Sequence, residues 1–187
     1  HLTETNMEQI YTIPVNEAFE KVQEEGFCTC PFCLMYNRLE DKELDLILGA
    51  SMMEPDVRLK TNEAGFCPEH LSLMFERGKR LPLALMLESH LDSIAKDIDG
   101  NMSSLFIGKT ADNAAKRLDK LEHSCYICDR IEYNFSRMIE TAALLWQNDE
   151  KFREKASKAP YFCLNHYGKY IRAAKERLTK KEFADFY

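Results

Sequence analysis

Four short cysteine motifs constrain this chain more than any other feature. Cys30-x-x-Cys33 and Cys67-x-x-His70 recur as Cys125-x-x-Cys128 and Cys163-x-x-His166. The first motif reappears 95 residues on and the second 96, so one inserted residue brings all eight positions into register. The flanks agree: Phe66 before Cys67 matches Phe162 before Cys163, and Val57-Arg58 echoes Phe152-Arg153. The chain therefore reads as an internal duplication. A lone C-x-x-C is most simply a pair of small buried residues, and a lone histidine a packed one. Two complete quartets point instead to metal ligands.

The spacing has a physical reason. Residues three apart in the first turn of a helix project to one side, so a C-x-x-C at one helix start and a C-x-x-H at another can close a tetrahedron around one ion. Helix N-termini add unpaired N–H groups and a positive dipole end, which favour thiolate over thiol. Pro31 and Pro68 suit a first helical turn, where a missing N–H costs nothing. Three thiolates and an imidazole suit zinc, with an iron–sulfur cluster as the alternative. The expected assignment is one closed site per half: Cys30, Cys33, Cys67 and His70 in the first, Cys125, Cys128, Cys163 and His166 in the second, with two zinc ions per chain. Cys28 and His123 each precede a C-x-x-C by two residues, again 95 apart. They are candidates to hydrogen-bond a thiolate or to exchange with a ligand.

Periodicity predicts an all-α chain. Ile127, Ile131, Phe135, Met138, Ala142 and Leu145 draw an apolar stripe along about five helical turns, and Leu164, Tyr167, Ile171, Ala174 and Leu178 repeat it near the C-terminus. Further helices are expected from Pro14 to Gly26 with Phe19 and Val22 on one face, from Pro31 to Gly49, and from Pro68 to Gly78. Two more follow over Leu83–Asp97, with Leu87, Leu91 and Ile94 on one face, and over Ala111–Leu121. Residues 99–110 read as a loop. The sum is seven or eight helices in two tandem repeats of helix-hairpin type, each pinned by a metal site. The repeats are placed at 7–80 and 119–187, joined by connecting helices and a loop at 81–118, with residues 1–6 an added leader.

A CPFC or CYIC helix start followed by FCPEH or FCLNH resembles an uncharacterised prokaryotic family, a domain of unknown function, whose motif runs C-P-x-C, a helix, then G-F-C-x-x-H. It falls on Cys30, Cys33, Gly65, Phe66, Cys67 and His70, and the likeness spans most of the chain. The second copy departs at Tyr126 and Tyr161, which stand for the proline and the glycine. The resemblance implies the ligands and no reaction.

Charge and missing motifs narrow the function. Residues 151–181 hold ten Lys or Arg against two Glu, and since the whole chain carries −6, the remainder sums to −14. A basic helix lying against the protein's own acidic part fits better than a nucleic-acid site, whose field that acidity would weaken. No phosphate loop, G-x-G-x-x-G, G-x-S-x-G or H-E-x-x-H occurs, and no catalytic residue is assigned. Glu88 and His90 diverge on their helix and read as surface residues. With no membrane-length apolar run and no secretion signal, the chain is expected in the cytosol, where cysteines serve metals or redox chemistry. The leading expectation is structural zinc supporting a surface for a protein partner or small ligand. The rivals are an iron–sulfur or thiol redox or metal-handling enzyme, and nucleic-acid binding through 151–181.

Overall fold

The computed structural model of the chain describes residues 2–24, 29–99 and 107–187. Among them are ten α-helices and no strand: α1 (Leu2–Glu24), α2 (Pro31–Ile47), α3 (Pro55–Ala64), α4 (Pro68–Glu76), α5 (Arg80–Asp99), α6 (Ile107–Glu122), α7 (Tyr126–Asn148), α8 (Glu150–Ser157), α9 (Leu164–Arg177) and α10 (Lys180–Phe186). A single 3₁₀ turn, Ala50–Met53, follows α2. None of these helices is long and apolar enough to cross a membrane.

The all-helical expectation holds, with more helices than the apolar stripes revealed. The additions are short and carry their signals at their ends. Pro55 and Asp56 open α3. The Asp149 carboxylate accepts the N–H groups of Lys151 and Phe152 at the start of α8. Thr179 and Glu182 form a reciprocal capping box on α10. The first helix starts at Leu2 rather than near Pro14, which lies inside it. Asn16 there donates to the Thr12 carbonyl at 3.0 Å. Of the expected loop, residues 100–106 lie outside the described residues, and 107–110 belong to α6.

Two compact units share the chain, and they are not the consecutive halves expected from the repeat. The first unit combines residues up to Leu39 with Glu132–Tyr187; the second is Glu40–Ile131. The boundary between them falls inside α2 and inside α7. The expected first repeat, 7–80, is thereby divided between the units.

The core of the first unit is aromatic. Phe19 meets Phe32 edge-on at 5.6 Å and Phe152 at 4.8 Å, Phe32 lies 4.9 Å from Tyr170, and Tyr170 lies 4.9 Å from Phe186. Val15, Ala18, Phe19 and Val22 bury one face of α1, including the expected pair. The α7 stripe is buried through Phe135, Met138 and Ala142 here and through Ile127 and Ile131 in the second unit, while Leu145 is only half-buried. In α9 the inward residues are Tyr170 and Ala174, followed by Leu178 just past its end, whereas Leu164 is 91% exposed. That leucine occupies the first helical position, before the turn has reached the core.

The second unit buries Leu44, Ile47, Met74, Leu83, Met86, Ile127 and Ile131. On α5 the fully buried residues are Leu83 and Met86; on the face of Leu87, Leu91 and Ile94, Leu87 and Ile94 are half-buried and Leu91 is 62% exposed. Both stripes fit a 3.6-residue period, and the packing of α3 against α5 decides between them. The buried Glu43 of α2 is held by the Arg130 guanidinium of α7 through two contacts, 3.2 and 3.3 Å. Truncating Phe152 to Ala removes the ring that seals the aromatic core, and a loss of about 3–5 kcal/mol is expected from urea titrations.

Candidate metal centres

The eight Cys and His residues of the four motifs come together in two clusters, but with partners exchanged. Cys30 and Cys33 meet Cys163 and His166 in the first unit; Cys67 and His70 meet Cys125 and Cys128 in the second. Within each cluster the four ligand atoms lie within 4.8 Å of one another. The expected quartets, each contained in one half of the sequence, are corrected accordingly.

The exchange follows from helix length and from hydrogen bonds beside the motifs. From Cys30 the chain enters α2, 17 residues or about 25 Å long, which carries it into the second unit. α3 then packs against α5 and α6. Its last carbonyls are occupied: Arg117 donates to Asn62 and Glu63 at 2.7 and 2.6 Å, and the Ser124 hydroxyl to Ala64 at 2.7 Å. The Tyr126 N–H then donates to the Gly65 carbonyl at 3.0 Å. These bonds set the residues before Cys67 beside the start of α7, where Cys125 lies. Gly65 sits at φ +63°, and a Cβ there would come within 3.1 Å of the His90 ring, so the turn requires glycine.

All four motifs use the same local device. Cys30, Cys67, Cys125 and Cys163 immediately precede α2, α4, α7 and α9, and each carbonyl accepts the first helical N–H bond, at 2.9 to 3.1 Å. The second ligand of each motif falls one turn later on the same side. In the second cluster His70 Nδ1 lies 3.2, 3.4 and 3.3 Å from the sulfurs of Cys67, Cys125 and Cys128, and Cys67 Sγ lies 3.9 Å from Cys128 Sγ. In the first, Cys33 Sγ lies 3.6 Å from Cys163 Sγ and 3.3 Å from His166 Nδ1.

Electrostatics differ between the clusters. His70 is pushed above the ordinary histidine range by its hydrogen bond with Cys125, against the opposing effect of burial. Burial resists ionisation of Cys125, yet the bond from His70 and the backbone N–H groups of Cys128 and Cys67 outweigh it and lower its pKa. In the same cluster burial, with Cys125 and Cys67, raises Cys128. In the first cluster burial raises Cys30 against the backbone N–H groups of Cys163, Cys33 and Phe32, and raises Cys33 with the help of the neighbouring thiols. Burial, with Lys169, lowers His166.

Of the two proposed auxiliary donors, His123 belongs to neither cluster. His123 is exposed, its Nδ1 facing the Asp119 carbonyl at 2.9 Å, because the turn ahead of Cys125 keeps it with the end of α6. Cys28 lies outside the described residues. Groups not assigned to a site from the sequence surround the imidazoles instead. Glu40 Oε1 lies 3.3 Å from His70 Nε2, within ion-pair reach although not aligned for a hydrogen bond. Tyr36 stacks on His166 at 6.1 Å, and Phe135 meets it edge-on at 4.9 Å. Cys33, Tyr36 and Glu40 recur at helical spacing on α2, a signal that was available in the sequence. His90 is half-buried, its Nδ1 3.0 Å from the Asn62 carbonyl, whereas Glu88 is exposed as expected.

Fold and site together define an all-helical protein with two Cys₃His clusters, each able to hold a metal ion. The chain belongs to a family of unknown function, DUF6062, whose model matches residues 7–187. No curated protein matches it, and no solved structure does.

The exchanged partnership has a direct chemical readout. Mild oxidation of metal-free protein should join Cys33 to Cys163 and Cys67 to Cys128, as mapped by peptide mass spectrometry. Peptides joining Cys30 or Cys33 to Cys67 would contradict it.

Proposed function

We propose that both clusters bind zinc and that the ions are structural, pinning helix starts so that the protein can present a surface to a protein partner or small ligand. The donor geometry carries this reading. Zinc–sulfur and zinc–nitrogen bonds of about 2.3 and 2.0 Å in a tetrahedron place sulfurs about 3.8 Å apart and nitrogen about 3.5 Å from sulfur. The sulfur separations of 3.6 and 3.9 Å and the nitrogen–sulfur separations of 3.2 to 3.4 Å agree. Four protein donors leave no open position, which suits a structural ion rather than a catalytic one. An iron–sulfur cluster distributes its cysteines over several irons and needs them further apart, so the same distances weigh against the iron–sulfur reading.

Duplication remains the simplest source of the repeated motifs, with α2 and α7 equivalent and α4 and α9 equivalent. On this reading each unit takes its C-x-x-C from one copy and its C-x-x-H from the other.

The ligand-binding part of the proposal is supported in the first unit. A cavity of about 420 Å³ is lined by Trp146, Phe162, Tyr167, Tyr170 and Phe186, with Asp185 among its walls. That volume suits a small molecule. Nucleic-acid binding through residues 151–181 has less support, because Lys155, Lys169 and Arg177 are paired with Glu20, Glu132 and Glu140. A cytosolic location accords with the free thiols.

Protein purified without added metal should contain about two zinc ions per chain by elemental analysis, show no visible absorption, and lose helical circular dichroism with a strong chelator. A brown preparation containing iron and acid-labile sulfide would refute the zinc reading. Trp146 is the sole tryptophan, so its emission reports on the cavity. Naphthalene-sized aromatic probes should quench it saturably, and a purely linear response would remove the ligand-binding reading.

A further inference from the structure

We infer that the two metal sites have different exchange behaviour: the second unit holds its ion permanently, the first unit releases and rebinds its own, and Glu40 is the positioning residue that separates them. This rests on the zinc reading above.

The difference lies behind the histidines. His70 faces the three sulfurs with Nδ1, which leaves Nε2 to carry the remaining proton. Nε2 is buried and has no aligned hydrogen-bond partner, yet Glu40 Oε1 stands 3.3 Å away. A small rotation of the carboxylate suffices to accept that proton. A carboxylate so placed fixes the ring and makes its other nitrogen a better ligand.

Among the described residues of the first unit, no carboxylate lies within ion-pair reach of His166. Moving 95 residues along the chain, the offset that relates the two C-x-x-C motifs, converts Glu40 into Phe135. Phe135 occupies the corresponding place, its ring 4.9 Å from that of His166. A phenyl ring cannot accept a charge-assisted hydrogen bond, so His166 is confined between Phe135 and Tyr36, and the carboxylate it feels, Glu132, is itself bound by Lys169.

Framework and access point the same way. The bond from the Tyr126 N–H to Gly65 binds the two motifs of the second cluster together. The same offset places Pro31 at the position of Tyr126, and proline has no N–H with which to repeat that bond. His70 and Cys125 are buried in the second cluster, whereas only Cys30 is buried in the first. A competing thiol or chelator therefore reaches the first ion more readily. The first unit is thus suited to metal exchange with small thiols or protein acceptors, and the second to holding the fold.

The test uses the full chain carrying two zinc ions, challenged with the chromophoric chelator 4-(2-pyridylazo)resorcinol. Pulses of N-ethylmaleimide followed by mass spectrometry identify which cysteines become free. Release should occur in two phases separated at least about tenfold in rate, with Cys30, Cys33 and Cys163 alkylated first and Cys67, Cys125 and Cys128 later. Glu40→Gln should accelerate the slow phase about 10–100-fold while leaving the fast phase and the far-ultraviolet spectrum unchanged, and Glu40→Asp should restore part of the difference. A single phase, the reverse labelling order, or an unaltered slow phase in E40Q would overturn the inference. The order of release in the unsubstituted protein needs no variant and stands even if E40Q misfolds. Two zinc ions leaving together would overturn this inference alone, whereas protein that never carries zinc would overturn the zinc reading beneath it.

Discussion

The meeting of helix N-termini at four sulfur and nitrogen donors is the constraint on which the rest of this structure depends. In each unit two helices begin at one point, the first of each pair of ligands preceding the helix and the second lying in its first turn. Helix starts carry unpaired N–H groups and a positive dipole end, so two of them brought together would repel without an anionic occupant. Thiolates would supply that charge, and a cation bound among them would limit its accumulation. The N–H groups of Phe32, Cys33 and Cys163 directed at Cys30, and those of Cys128 and Cys67 directed at Cys125, are the local expression of this balance.

Around these points the two units solve the packing problem differently. The first has an aromatic core in which Phe19, Phe32, Phe152 and Tyr170 interlock. The second relies on aliphatic and methionine side chains and admits a buried carboxylate, Glu43, matched by Arg130. Removing only one member of such a pair would strand a charge in the interior. It also directs polar groups at the segment ahead of Cys67, where Arg117 and Ser124 occupy the final carbonyls of α3. Polar satisfaction and ligand placement are thus the same set of bonds.

Part of the basic C-terminal segment is paired within the first unit itself. Lys155 reaches Glu20 and Asn16, Lys169 reaches Glu132, and Arg177 reaches Glu140. Arg153 lies over the Trp146 ring at 5.6 Å. The charge imbalance along the sequence is in this part a pairing of α8 and α9 with α1 and α7.

The sequence by itself determined the eight donors, the helical class and the placement of each donor pair at a helix start, because those properties depend on spacing within one turn. The stripe from Ile127 to Ala142 was legible for the same reason. Short helices such as α8 and α10 declare themselves through Asp149 and Thr179-x-x-Glu182 rather than through a stripe. Which pairs share a cluster was beyond local pattern. Chain order favours neighbours in sequence, whereas the length of α2 and the bond from Tyr126 to Gly65 bring Cys67 to Cys125. The inward face of α5 and the approach of Glu40 to His70 were likewise decided only by tertiary structure, since several faces satisfy one period and only packing selects among them.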